Sequence, residues 1–217
     1  MYSTFRLTLL FSLLTVLSPF TVMAADAIEE IVVKASYRET TLEKNDGSLM
    51  ILSEEQLKAE PMKHLEQLSF LVPNLNFALS DGRPRYFQIR GIGEQSGYEG
   101  TPNSSVGLMI DDIDFSGQGG ISSSFDMEQI EVHRGPQGSR MGANALAGMI
   151  YMRSKQPTDV FEGLSELSLG SDGVRSVGLA FGGPLQDNPA IKYRVSIRND
   201  ESDGFRKNSY LNRDDTT

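Results

Sequence analysis

The sequence predicts an α+β domain, a small mixed sheet with short helices, followed by antiparallel strands of the kind that build a β-barrel wall. Two observations carry that expectation. Thirteen of the 21 glycines fall between Gly82 and Gly148, separating short strand-like runs. That is the texture of a compact mixed domain rich in special turns. After Lys155-Gln156-Pro157 the pattern changes to period-two alternation, which in a strand sends apolar and polar side chains to opposite faces.

The elements follow in order. Residues 1 to 25 read MYSTFRLTLLFSLLTVLSPFTVMAA, with one Arg, an uncharged apolar stretch from Leu7 to about Phe20, and Val22-Met23-Ala24 as a small-x-small cleavage signal. This is a secretory signal peptide, cleaved after Ala24 or Ala25. Pro19 and the interspersed Ser and Thr residues leave it short of the roughly 20 apolar residues of a membrane span. Next comes Ala27 to Ala35, a short β-favouring run that reads as a strand seeking a sheet edge. Ser53-Glu54-Glu55-Gln56 has the capping-box pattern of a helix start, and Pro61 opens a second helix with Met62, Leu65 and Leu68 at helical spacing, ended by Val72-Pro73-Asn74. The Gly-rich region supplies strands at Tyr86 to Ile89, Val106 to Ile110, Ile130 to His133 and Gly148 to Met152.

Beyond Pro157 the clearest alternation is Ile191 to Arg198, with Val177, Leu179 and Phe181 set against Ser176, Gly178, Ala180 and Gly182. Phe161 to Gly170 alternates less cleanly because Leu164 is out of phase. Such strands fit a barrel with its apolar face toward lipid, and equally a half-buried sheet in a soluble protein. Composition narrows the function classes. The chain is 39% apolar and 23% charged, as expected of a chain that buries a core. A net charge of −9 without a basic run leaves no footprint for nucleic acid. The absence of Cys removes disulfides, thiolate metal sites and Cys nucleophiles.

Three separated motifs bring a family into view: Ile89-Arg90-Gly91-Ile92-Gly93, Ser105 to Asp111, and Gln129 to Gly138, with Gly142, Asn144, Ala145 and Gly148 at matching distances. Together they resemble the plug domain of TonB-dependent outer-membrane receptors, and the resemblance covers about residues 28 to 200. It implies a plug folded inside a barrel of about 22 strands. It also implies export to the outer membrane of a Gram-negative bacterium, and uptake energised by the inner-membrane protein TonB. On that implication the chain divides into a signal peptide (1–25), a TonB-box segment (26–39), a plug (40–157) and roughly the first three barrel strands (158–217). It is then a truncated piece of a receptor, in contact with outer-membrane lipid.

The resemblance assigns roles residue by residue. Glu30, Ile31, Val32, Val33, Lys34 and Ala35 correspond to the TonB box, an extended β-branched strand able to add to a partner's sheet edge. Arg90-Gly91 and Arg134-Gly135 correspond to plug arginines that face acids on the barrel wall, through forked pairs that the guanidinium suits. The loops Ser80 to Arg85, Glu94 to Ser104 and Phe115 to Ser124 correspond to the outward plug apices. There Arg83, Arg85, Gln95, Tyr98 and Gln118 supply groups suited to an anionic or polar ligand. A ferric siderophore is the substrate expected from the family's commonest use, with cobalamin, haem and carbohydrate open.

No cofactor, resident metal or catalysis is expected. Asp111, Asp112 and Asp114 fall where the family has a hairpin turn, which accounts for the acids without a cation. His64 and His133 lack ligand-spaced companions, and neither a dinucleotide, phosphate-loop nor nucleophile-elbow motif is present. Four positions depart from the family pattern: Met141 replaces an aromatic, Tyr151 an Asn, Asp112 a Gly and Ala147 a Gly. Two alternatives stand beside the receptor reading. One is a soluble periplasmic or secreted β-rich binding module; the other is a fragment of a passive porin or adhesin.

Overall fold

The computed structural model describes residues 32–33, 40–41, 47–80, 83–95, 103–117, 123–186, 188–203, 207–208 and 213–214, with 40–41, 79–80, 83–85, 207–208 and 213–214 described by backbone alone. All of them belong to one unit, Ile31–Thr217. A strand β1 (Val32–Val33) pairs antiparallel with β2 (Thr40–Thr41). Then come β3 (Leu49–Ser53) and helix α1 (Glu54–Ala59). The capping box forms as read: Gln56 N donates to Ser53 Oγ, and Ser53 N donates to Gln56 Oε1 at 3.1 Å.

The second helix starts later than its pattern predicts. A 3-10 turn covers Leu65–Gln67 and α2 covers Leu68–Leu71, ending before Val72. Residues after Pro61 are claimed instead by a distant segment, because Met62 N donates to Ser124 Oγ at 2.7 Å and Ser124 N to Met62 O at 3.0 Å. The apolar spacing still does its work, for Met62, Leu65 and Leu68 are all buried.

A hairpin, β4 (Leu75–Ser80) with β5 (Arg83–Ile89), follows. The central sheet then assembles from β6 (Val106–Ile110), β7 (Ile113–Asp114), β8 (Met127–Arg134) and β9 (Gly148–Ser154), with α3 (Gly138–Met141) between the last two. Its strand order is β3-β8-β9-β6-β7, with β6 and β9 parallel and the other pairs antiparallel.

One face of this sheet presents Leu52, Ile130, Val132, Ile150, Met152 and Leu108 to the helices and the β4–β5 hairpin, forming the main core with Leu57, Leu65, Leu68, Leu75, Phe87 and Ile89. Burying each such side chain is worth about 1.5–3 kcal/mol. The opposite face carries Met109, Met149, Tyr151 and Ala145 beside the polar row Gln129, Glu131 and His133. Gly148 sits where β9 crosses closest to its neighbours: a Cβ there would lie 2.2 Å from His133 O and 2.6 Å from Ile89 Cδ1.

After Pro157 the chain forms an antiparallel meander, β10 (Glu162–Leu169), β11 (Arg175–Leu185) and β12 (Asn188–Glu201), and then a short pair, β13 (Lys207–Asn208) with β14 (Arg213–Asp214). The meander wears its apolar face outward. Leu167, Leu169, Val177, Leu179, Phe181, Ile191, Val195 and Ile197 are exposed, while Ser176, Gly178, Ala180 and Gly182 on the other face are buried. A soluble half-buried sheet would do the reverse. Leu164 pairs with Ala180 and so lies on the inward face, which explains its broken phase.

Candidate functional site

Functional elements predicted from the sequence fall on three parts of this fold. At the N-terminal segment, Val33 is fully buried and Gln129 Nε2 donates to Val32 O at 3.2 Å. β1 is therefore seated over the polar face of the sheet. That seat is unusual in its chemistry: Glu131 is fully buried, accepts from Gln129 Nε2 at 2.5 Å, and lies 2.9 Å from His133 Nε2. Glu30, Ile31, Lys34 and Ala35 lie outside the described residues, as do the predicted signal peptide and its cleavage site.

The two Arg-Gly motifs occupy strand ends. Arg90 (φ 53°) and Gly91 (φ 79°) form a left-handed turn after β5, closed by Ile92 N donating to Ile89 O at 3.0 Å and tied to the start of β4 by Arg90 N donating to Asn74 O at 2.9 Å, and the arginine is exposed. Arg134 ends β8 and is partly buried, with Nε shielded from solvent and no hydrogen-bond partner among the described residues. Gly135 follows at φ 145°. Neither arginine forms an ion pair among the described residues.

Of the loop candidates, Gln95 alone has a described side chain. Arg83 and Arg85 lie on β5 where the hairpin turns back on β4, Gln95 is exposed after Ile92-Gly93-Glu94, and Tyr98 and Gln118 lie outside the described residues. Their neighbour Glu94 is instead buried, its Oε1 accepting from Ser105 N at 2.8 Å and Ser105 Oγ at 2.6 Å. That carboxylate ties the loop to the start of β6.

The aspartate cluster is a hairpin turn, as read. Asp111 and Asp112 both take positive φ, 48° and 69°, between the paired residues Ile110 and Ile113, the geometry that matches strand twist in a two-residue hairpin. Each acid is used locally. Asp111 accepts from Ser154 N at 2.9 Å and Asp114 from Asn144 Nδ2 at 3.2 Å. Asp112 accepts from Arg140 and, at 3.2 Å, from Tyr151 Oη, while the guanidinium lies 4.9 Å over the Tyr151 ring. Two departures from the family pattern, Asp112 and Tyr151, are thus one contact. Burial, with Asp112 adding to it, pushes the Tyr151 phenol above its ordinary 10.0.

Sequence reasoning missed the contact between the domain and the outward-apolar meander. Asp126, at φ 58° in the turn before β8, meets Arg194 of β12 through two bonds, Nε to Oδ2 at 2.8 Å and Nη2 to Oδ1 at 2.5 Å. Phe125 lies beneath Arg198, 5.3 Å from its guanidinium, and a Cβ on Gly178 would come within 2.6 Å of the ring. Only the inward phase of Arg194 and Arg198 in the alternating run hinted at this.

Comparison with known proteins gives these parts a common setting. The family model described as TonB-dependent Receptor Plug Domain matches residues 41–149, half of the chain. The chain is 27% identical over 195 residues to the ferric enterobactin receptor PirA of Pseudomonas aeruginosa, covering 81% of this chain and 26% of that protein. It is 30% identical over 89 residues to the vitamin B12 transporter BtuB of Vibrio vulnificus, covering 41% and 14%. Among solved structures, the ferric yersiniabactin uptake receptor FyuA from Yersinia pestis superposes with a TM-score of 0.68 at 25% identity, over 78% of this chain and 26% of that one. The chain spans about a quarter of the length of PirA and FyuA.

Proposed function

Because the chain belongs to the TonB-dependent receptor plug domain family, we propose that it forms the plug and opening wall strands of an outer-membrane receptor that takes up a ferric siderophore with energy from TonB. The observation that carries this reading is the inverted meander. Its apolar residues face outward and its small and polar residues face the plug domain, which suits a wall between lipid and a filled lumen. The same feature weighs against a soluble binding module, and the seated plug against a passive porin. Its role is transport rather than catalysis.

Within that reading, Glu30 to Ala35 is the segment that TonB captures by strand addition. Arg90 and Arg134 face wall acids; the shielded Nε of Arg134, without a partner among the described residues, is what such a pairing would satisfy. Arg83, Arg85, Gln95, Tyr98 and Gln118 contribute to the ligand-facing loops. The relatives named for ferric enterobactin and ferric yersiniabactin support a siderophore, and the one named for vitamin B12 defines the competing substrate.

The test uses the full-length protein encoded by the reading frame that carries this sequence. Cells lacking their other siderophore receptors are grown under iron limitation with single ferric siderophores, with and without TonB. TonB-dependent growth on at least one of them is expected, and Val32→Pro should abolish it while the protein remains in the outer membrane. Growth that persists without TonB, or cobalamin as the only rescued nutrient, overturns the corresponding part of the reading.

A further inference from the structure

The turn Ser124 to Met127 is held on the plug side by four bonds and closed by a fifth within the turn. Ser124 pairs with Met62 through backbone and side chain, Lys155 N donates to Asp126 O at 2.9 Å, and Met127 N reaches Ser124 O. The left-handed backbone at Asp126, tolerated by aspartate better than by most residues, turns the Asp126 side chain onto the wall sheet.

The wall receives the turn in a shaped trough. Along the inward face of β11 every second residue is small, Ser176, Gly178, Ala180 and Gly182, and opposite them on β12 stand Asp200, Arg198, Ser196 and Arg194. Phe125 seats against Gly178 and under Arg198, whose guanidinium is pinned by Asp200 at 2.7 Å and Glu166 at 3.1 Å. Asp126 takes Arg194 by the fork, and both side chains are nearly excluded from water, at 4% and 9% exposure. A charged pair so buried is tolerable only when its geometry is as well matched as this fork, which leaves Nη1 of Arg194 without a partner among the described residues.

We propose that Phe125-Asp126 is a fixed dock that seals the plug against the wall, distinct from the two Arg-Gly motifs and opposite to them in polarity, the acid lying on the plug and the arginine on the wall. The aromatic ring sets position by shape and the forked ion pair sets orientation. The inference rests on the barrel reading alone, and not on the substrate or on TonB.

The test measures leak through the resting, unliganded full-length protein in cells lacking TonB, as sensitivity to vancomycin, a solute too large for ordinary porins. Heat-modifiable gel migration reports barrel folding in parallel. Asp126→Arg and Arg194→Asp should each raise sensitivity at least tenfold, and the reversed pair together should return it to within twofold of the parent. Gly178→Val, which drives a side chain into Phe125, should also leak, with Phe125→Ala restoring closure; this size pair carries the test if the charge variants fail to fold. Folded single variants that stay as tight as the parent, or two pairs that both fail to rescue, overturn the proposal. Because no ligand enters the assay, a failure of the uptake experiment leaves this result untouched.

Discussion

Replacing Val33 by alanine should loosen the N-terminal segment without unfolding the plug, and the structure sets the size of the effect. The β1–β2 pair is a two-stranded sheet separate from the central one, so its own ladder does not hold β1 to that sheet. The described attachments are the buried Val33 side chain and the bond from Gln129 to Val32 O. Val33→Ala removes two buried carbons at about 0.8 kcal/mol each, about 1.6 kcal/mol in all, which raises the undocked population about 15-fold. The partner surface softens the consequence, since Gln129, Glu131 and His133 can be hydrated when uncovered while an apolar seat could not. Amide hydrogen exchange reads this directly. The amides of Val32 and Val33 should exchange about 15-fold faster, with β8 and β9 protection unchanged. Exchange at β1 that does not move, or that accelerates together with β8 and β9, would refute the view of β1 as an independently released element.

Further outcomes follow from other contacts. Gly148→Ala would place a Cβ 2.2 Å from His133 O, so chemical denaturation should show a loss of about 1–3 kcal/mol or more from forced separation of β8 and β9. Ser53→Ala removes the acceptor of the capping box and should cost about 1 kcal/mol in the same assay. Burial alone would raise the Glu54 carboxyl, but Lys58 Nζ at 2.6 Å and Lys155 Nζ at 2.9 Å outweigh it and hold the group below its ordinary 4.5. Its stabilising contribution is therefore complete above that value and lost as pH falls through the lowered folded pKa; Glu54→Gln should flatten the acid limb of a stability-versus-pH curve there. On the outward wall face, Ile197→Lys should reduce the folded outer-membrane yield of the full-length protein, measured by heat-modifiable migration, by an amount corresponding to up to about 2–4 kcal/mol.

Local chemistry was readable in advance and distant chemistry was not. The capping box and the Asp111-Asp112 turn depend on neighbours a few residues away, and the strand at Val106 to Ile110 and the phase of Leu164 show in the local run of side chains; each appears where it was expected. The second helix slipped because Ser124, 62 residues away, competes for the backbone of Met62. β3 is a short apolar run without alternation, paired with β8 and burying only Leu52, so it carries no periodic signal of its own. The dock escaped for the same reason as the helix shift: Asp126 and Arg194 are 68 residues apart, and nothing near either announces the other. The Asp112 to Tyr151 contact shows the converse. Two oddities that looked independent in sequence are explained by a single parallel pairing of β6 with β9.

The outward row of the meander also bears on how such a chain reaches its destination. A wall built by alternation spreads its apolar residues singly among polar and small ones, and the mean hydropathy of the whole chain stays at −0.27. No stretch of β10 to β12 presents the roughly 20 consecutive apolar residues that arrest a chain in a bilayer as a helix. The segment is greasy only once folded, when the strands gather every second side chain onto one surface. A chain of this design can be threaded through one membrane as a polar polypeptide and acquire its affinity for a second one by pairing its strands.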